Sequence, residues 1–165
     1  MAKNATSLHT RLDSFDRAIL RILQQDNRTP QRRIAEAVNL SAAAVQRRIA
    51  AMEEAGVITR NVALVDPAAL GQGITSVVNV TLRDERAPTV DAAKALFRAR
   101  GEVQQCYYVT GGISFVLVIV TSDMRAYEAL TRELFAENEC VASYASLIAL
   151  DRAKVDTGIV IPGSD

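Results

Sequence analysis

The sequence predicts an α+β chain in two parts: a unit of three short helices, then a small antiparallel sheet carrying two helices. Three observations predict it. Apolar residues recur at helical spacing up to Gly56, interrupted by the turn segment Val38-Asn39-Leu40-Ser41. Beyond Ile74, apolar runs of strand length alternate with helical ones in the order β-α-β-β-α-β. A chain of 165 residues with 49% hydrophobic content can fill a core in each part.

Residues 1–11 read as a mobile polar arm. Asp13 or Ser14 is placed to cap a first helix, whose stripe is Phe15, Ile19, Leu20 and Leu23 and which ends near Asp26-Asn27. Thr29 is placed to cap a second, with Pro30 at the first helical position, where a missing amide costs nothing, and Ile34, Ala35 and Val38 on one face. Asn39 tolerates the left-handed backbone that a sharp turn needs, and Ser41 caps the third helix. There Val45, Ile49 and Met52 set the buried face, and Gly56 ends the helix in a left-handed conformation. The extended stretch Ile58–Asp66 is expected to serve as both a strand and a connection, stopped by Asp66-Pro67.

The second part reads as strands near Ile74–Leu82, Val103–Thr110, Ser114–Thr121 and Val141–Leu150, with helices near Thr89–Arg100 and Met124–Asn138. This is the split arrangement of a ferredoxin-like sheet with helices on one face, its central hairpin turning at Gly111-Gly112. The expected division is an arm over 1–11, a helix-turn-helix domain over 12–60, a linker over 61–73 and the sheet domain over 74–165. Phe115 to Val120 is apolar at every position, whereas a sheet with one wet face alternates. Its second face is therefore expected to be covered, by a second copy of the chain in an isologous dimer or by the tail segment 155–162, with the dimer favoured.

In the third helix Ala43, Arg47, Ala50 and Glu54 point away from the core, while Gln46 and Arg48 lie on its flanks. The small residues Ala42 to Ala44 let the helix tip approach a duplex, so that Gln46 and Arg47 reach base edges or phosphates. On an arbitrary helix such arginines would be a solvated face; the preceding turn and cap tip the reading to double-stranded DNA. Net charge is zero, but the first 60 residues hold ten basic and six acidic side chains and the remainder nine and thirteen. Only one end of the chain attracts phosphate.

Cys106 and Cys140 lack metal-ligand or Cys-x-x-Cys spacing and read as buried free thiols. No N-terminal apolar stretch and no run of membrane-spanning length is present, which fits a reducing cytoplasm and no membrane partner. No cofactor or metal is expected. Gly71-Gln72-Gly73 lacks the third glycine of a dinucleotide motif, and there is no phosphate-binding lysine loop.

Three segments, LDSFDRAILRILQQDNRT, IAEAVNLSAAAVQRRIAAMEEAGVI and VQQCYYVTGGISFVLV, together resemble the Lrp/AsnC family of transcriptional regulators, also called feast/famine regulatory proteins, over residues 12–154. The resemblance implies a winged or plain helix-turn-helix, a linker, and a ferredoxin-like domain that forms dimers and often octamers. It also implies a small effector, commonly an amino acid, bound at a subunit interface. Candidate DNA contacts are Arg32, Ser41, Ala43, Gln46, Arg47 and Arg48, with Gln46 and Arg47 expected to read bases and Arg48 to brace the unit and touch phosphate. The effector site matches Gly111, Gly112, Ile113, Ser114 and Phe115 of the hairpin with Tyr144 and Ser146 of the last strand. Relatives mostly carry an acidic residue at the position of Ser114 and frequently threonine at that of Ser146. A serine holds an ammonium group less well than a carboxylate, so a different ligand or none is the alternative. The competing enzyme class, a siroheme-decarboxylase-like protein, depends on histidines in the second domain, and this chain has only His9. A pure oligomerisation module would leave the basic first part unexplained.

Overall fold

The computed structural model describes residues 12–163, so the arm expected over residues 1–11 lies outside the described residues. The described chain divides into two compact units, one formed by residues 12–63 with 155–163 and the other by Leu64–Lys154.

In the first unit, helix α1 (Ser14–Gln25) starts at Asp13, whose carboxylate accepts the Asp16 N–H at 2.8 Å, while Asp16 accepts the Asp13 N–H at 3.2 Å. This reciprocal box satisfies amides that a helix start otherwise leaves unpaired. Helix α2 (Gln31–Val38) is capped at Pro30 and not by the expected Thr29, whose hydroxyl is diverted to the Asp26 carbonyl at 2.8 Å. Asn39 then turns the chain at φ 54°. Helix α3 (Ala42–Glu54) opens on Ser41, whose Oγ accepts the Ala44 N–H at 3.2 Å. It closes at Gly56, φ 72°, where the Val57 and Gly56 N–H groups return to the Met52 and Glu53 carbonyls at 2.9 and 3.0 Å. That paired closure needs the left-handed residue glycine supplies.

Ile19, Ile34 and Val45, one from each helix, are fully enclosed, and Ala35, Val38 and Met52 complete the core, with Ile49 half-buried beside it. Each such aliphatic side chain contributes about 1.5–3 kcal/mol by leaving water, so the three-helix arrangement is decided here and not at the surface. Segment 59–66 is not the expected strand. No neighbouring strand pairs with it, and Val62, Leu64 and Val65 are exposed.

The tail also departs from expectation: residues from Val155 onward belong to the first unit and not to the sheet domain. Gln24 on α1 brackets Ile159, accepting its N–H at 2.8 Å and donating to its carbonyl at 3.0 Å. Arg21 Nη2 donates to the Ile161 and Pro162 carbonyls at 3.2 and 2.8 Å. The tail's polar backbone is held by these side-chain matches on α1, so within its own unit the tail adds no strand.

In the second unit, a short 3₁₀ turn (Pro67–Leu70) capped by Asp66 leads into β1 (Ile74–Leu82). Helix α4 (Ala87–Arg98), β2 (Val103–Tyr108), β3 (Phe115–Thr121), α5 (Met124–Thr131) and β4 (Val141–Ile148) follow. The sheet runs β2-β3-β1-β4 with every pair antiparallel, the ferredoxin-like order. Helix α4 starts two residues earlier than expected because Pro88 is accommodated in its first turn. Beyond α5 the expected single helix widens into a π turn over Arg132–Ala136, with the Glu137 N–H returning to the Arg132 carbonyl at 2.9 Å.

Val78, Val80 and Leu82 of β1 and Phe115, Leu117 and Ile119 of β3 are buried beneath the helices. Phe97 of α4 meets Phe115 and Phe135 edge-on, with centroids 5.3 and 5.9 Å apart. The opposite face of the sheet carries Val77, Val118 and Leu147 in one cross-strand row, with Val116 and Tyr107 in the next. Leu147 and Tyr107 are 62% and 54% exposed, so among the described residues of this unit nothing covers that face. The cysteines are half-buried and not fully buried as expected, because both sit near strand or turn edges; burial pushes the Cys106 thiol up, against the pull of Arg98 and Lys94.

Candidate functional site

The polar face of α3 combines one anchored arginine with freely exposed groups. Arg48 Nη1 donates to Asp13 Oδ2 and to Asp16 Oδ1, both at 2.8 Å, and its guanidinium lies 5.5 Å from the centre of the Phe15 ring. The two acceptors are the same carboxylates that cap α1, so Arg48 ties the third helix to the start of the first. The Asp16 and Asp13 bonds raise the Arg48 pKa, and the Asp16 amide, with Arg48 behind it, holds Asp13 below the usual carboxylate range. The bracing expected of Arg48 is therefore present. Its bonded Nη1 is not available to phosphate.

Ala43, Gln46 and Arg47 are exposed, and the side chains of Gln46 and Arg47 make no hydrogen bond or ion pair within the described residues. Arg32 on α2 makes a 3.4 Å pair with Glu36 one turn on, with both side chains largely in water. Such a pair holds a fraction of a kcal/mol and yields readily to a phosphate. Ser41 has a structural task at the cap, and its exposure leaves the helix tip open. The surface thus presents a helix N-terminus, a small-residue tip and free Gln46 and Arg47.

The hairpin between β2 and β3 turns at Gly111 and Gly112, φ 105° and 91°, conformations closed to most side chains. A Cβ at either glycine would meet nothing within 4 Å, so the turn is bordered by open space. Ile113 is half-buried. Ser114, by contrast, is 1% exposed. Its Oγ accepts the Leu82 N–H at 2.9 Å and donates to Glu85 Oε1. Burial and two internal bonds occupy the Ser114 hydroxyl. Tyr144 lies across β1 from Phe115, both opposite Val80, and its ring packs 4.9 Å from that of Phe135. Ser146 faces Val78, one step further along the helix-side face. The sheet therefore brings Tyr144 to the hairpin end and leaves Ser146 deeper along the edge strand.

Sequence reading missed Glu85, Tyr108 and Lys94. Tyr108 donates its hydroxyl to Glu85 Oε2 at 2.6 Å, and Lys94 Nζ sits 4.8 Å from the centre of the Tyr108 ring. The Ser114 and Tyr108 bonds hold Glu85 below its ordinary pKa, and Glu85 in turn raises that of Tyr108. Glu85 is 23 and 29 residues from its two partners, so no local spacing announces the cluster. Its neighbour Asp84 is spent differently. Arg86, Thr89 and the Arg86 amide hold it far below the carboxylate range and organise the start of α4.

Comparison with known proteins agrees with both units. Residues 12–59 match a winged helix-turn-helix DNA-binding model, and residues 75–159 match the Lrp/AsnC ligand binding domain. No wing strand follows α3 within the first unit of this chain. An uncharacterized HTH-type transcriptional regulator of Sinorhizobium fredii is 38% identical over 91% of this chain and 89% of its own length. The crystal structure of an AsnC family transcriptional regulator from Agrobacterium tumefaciens superposes with a TM-score of 0.84 at 32% identity, covering 90% of this chain and 97% of that one. A transcriptional regulator from Neisseria meningitidis, solved as its L-methionine complex, gives 0.81 at 27%, covering 90% and 96%. With an exposed third helix on a braced three-helix unit and a ferredoxin-like ligand-binding domain behind it, the chain belongs to the Lrp/AsnC family of DNA-binding transcriptional regulators.

Proposed function

We propose that this regulator reads DNA by sequence through α3 and answers to an amino acid bound at an interface between copies of the chain. The anchoring of Arg48 carries the first half. A recognition helix gripped at its middle by two carboxylates presents Gln46 and Arg47 in a fixed register, the condition for base-edge contact, while Arg32 and the α3 tip approach phosphate. Arg48 acts as the brace, and its role toward phosphate falls to groups not already bonded. The uncovered row Val77, Val118 and Leu147 supports a homodimer closed face to face, which doubles the recognition helices for paired half-sites. Larger assemblies, octamers among them, would extend this along DNA, and a DNA partner puts its work in the cytoplasm.

The amino-acid reading is supported by the ligand-binding domain match and by the methionine held by the Neisseria protein. Effector control requires that the ligand prefer one of two assembly states. Titration of the upstream DNA of the chain's own gene with wild type and Arg47→Ala tests the central claim. Loss of preference over scrambled DNA is expected, with residual binding retained. An equal fall on every sequence would move Arg47 to the phosphate contacts.

A further inference from the structure

We infer that Glu85 is the anionic anchor of the effector site, the group that receives the ligand's ammonium where Ser114 cannot. The inference rests on the amino-acid reading above and names the residue that carries it. Two separate segments converge on this one side chain. Ser114, with its lone pair taken by the Leu82 N–H, has its own proton free to donate to Oε1. Tyr108 from β2 donates to Oε2 at 2.6 Å. Two hydroxyl donors stabilise only the ionised carboxylate, so Glu85 is both charged and fixed in direction.

A glutamate on a loop ordinarily wanders in water. Here it remains exposed while immobilised, and each oxygen keeps a lone pair for a further donor. It stands where the hairpin base meets the loop after β1, bonded to Ser114, the second residue after Gly112. Arginines do not neutralise it: Arg86 is committed to Asp84, and Arg83 donates to the Glu139 carbonyl at 2.8 Å. Lys94, over the Tyr108 ring and 3.8 Å from Asp91 Oδ1 on its own helix, brings a cation to the same tyrosine. Ser114 is a positioning residue. Its burial leaves the serine to aim the carboxylate, and the charge is supplied from Glu85.

The test screens the full-length protein by thermal shift against the protein amino acids, then measures each hit by calorimetry beside its N-acetyl derivative. Wild type is expected to bind at least one amino acid and to reject the N-acetyl form. Glu85→Gln should weaken binding at least tenfold while circular dichroism shows the fold retained. Ser114→Ala should weaken it less, and the double variant should bind no worse than Glu85→Gln, a non-additivity that a purely structural serine would not produce. If wild type binds an amino acid and Glu85→Gln binds it equally, or if the N-acetyl form binds as well, the anchor is elsewhere and only this inference falls. If wild type binds none, the amino-acid reading fails and takes the anchor with it.

Discussion

Arg48 concentrates at one residue what an isolated helix-turn-helix pattern leaves undefined. Both of its acceptors also cap α1, so removing it strips a bond from two carboxylates that then face each other. Arg48→Ala is expected to destabilise the first unit by about 1 kcal/mol, a modest figure because the pair is partly in water. The sign with pH follows from Asp13. Its folded pKa is depressed, so its contribution is complete above the ordinary carboxylate pKa and is lost as pH falls through the lower folded value. Thermal melts from pH 6 down to 3 should show wild type and Arg48→Ala converging at the acid end. A second residue predicts the opposite sign. The Ser76 hydroxyl is fully buried on the helix-side face of β1 with no hydrogen-bond partner. Ser76→Ala should be neutral or stabilise by up to about 1 kcal/mol in urea denaturation.

Among the elements, the helices of the first unit are set by their ends. Ser41 capped α3 in the sequence reading and does so in the structure, and Ser41→Ala is expected to cost about 1 kcal/mol in denaturant melts and to fray the tip of α3. Asn39 and Gly56 were legible for the same reason, since left-handed backbone admits few residues. Thr29 was misread because a hydroxyl before a proline has two local uses, and the bond to the Asp26 carbonyl won. The tail was not legible at all. Its apolar Ile159, Val160 and Ile161 suggested a cover for the sheet, yet what holds it is a glutamine and an arginine on α1, residues that pattern alone assigns to a solvated face. Deleting residues 155–165 should leave α1 without these bonds and speed amide exchange in Arg17 to Gln25; unchanged exchange would mean the tail contributes nothing to that helix.

At the scale of the whole molecule, a neutral chain works on a polyanion because its charges are divided by domain. Affinity for DNA should fall linearly on a log-log plot with salt, and Arg32→Ala should reduce the slope by about 1 if Arg32 meets phosphate. The uncovered face of the sheet gives a parallel expectation for assembly. Val118→Lys places a charge in the middle of the Val77, Val118, Leu147 row and should convert a dimer to monomer in light scattering while circular dichroism is retained.

Sequence by itself determined the helix-turn-helix, the order of strands and helices and the division of charge, because periodicity, caps and turn residues act over a few neighbours. Tertiary structure alone decided what those elements do to one another. It locked Arg48 onto the Asp13–Asp16 box, carried the tail to α1, and gathered Glu85, Tyr108 and Ser114 into one cluster. These depend on register and packing between residues far apart in the chain, and no local pattern encodes such distances. That is also why a site read first as weakened by a serine at 114 can be proposed to draw its charge from the Glu85 carboxylate that this serine holds.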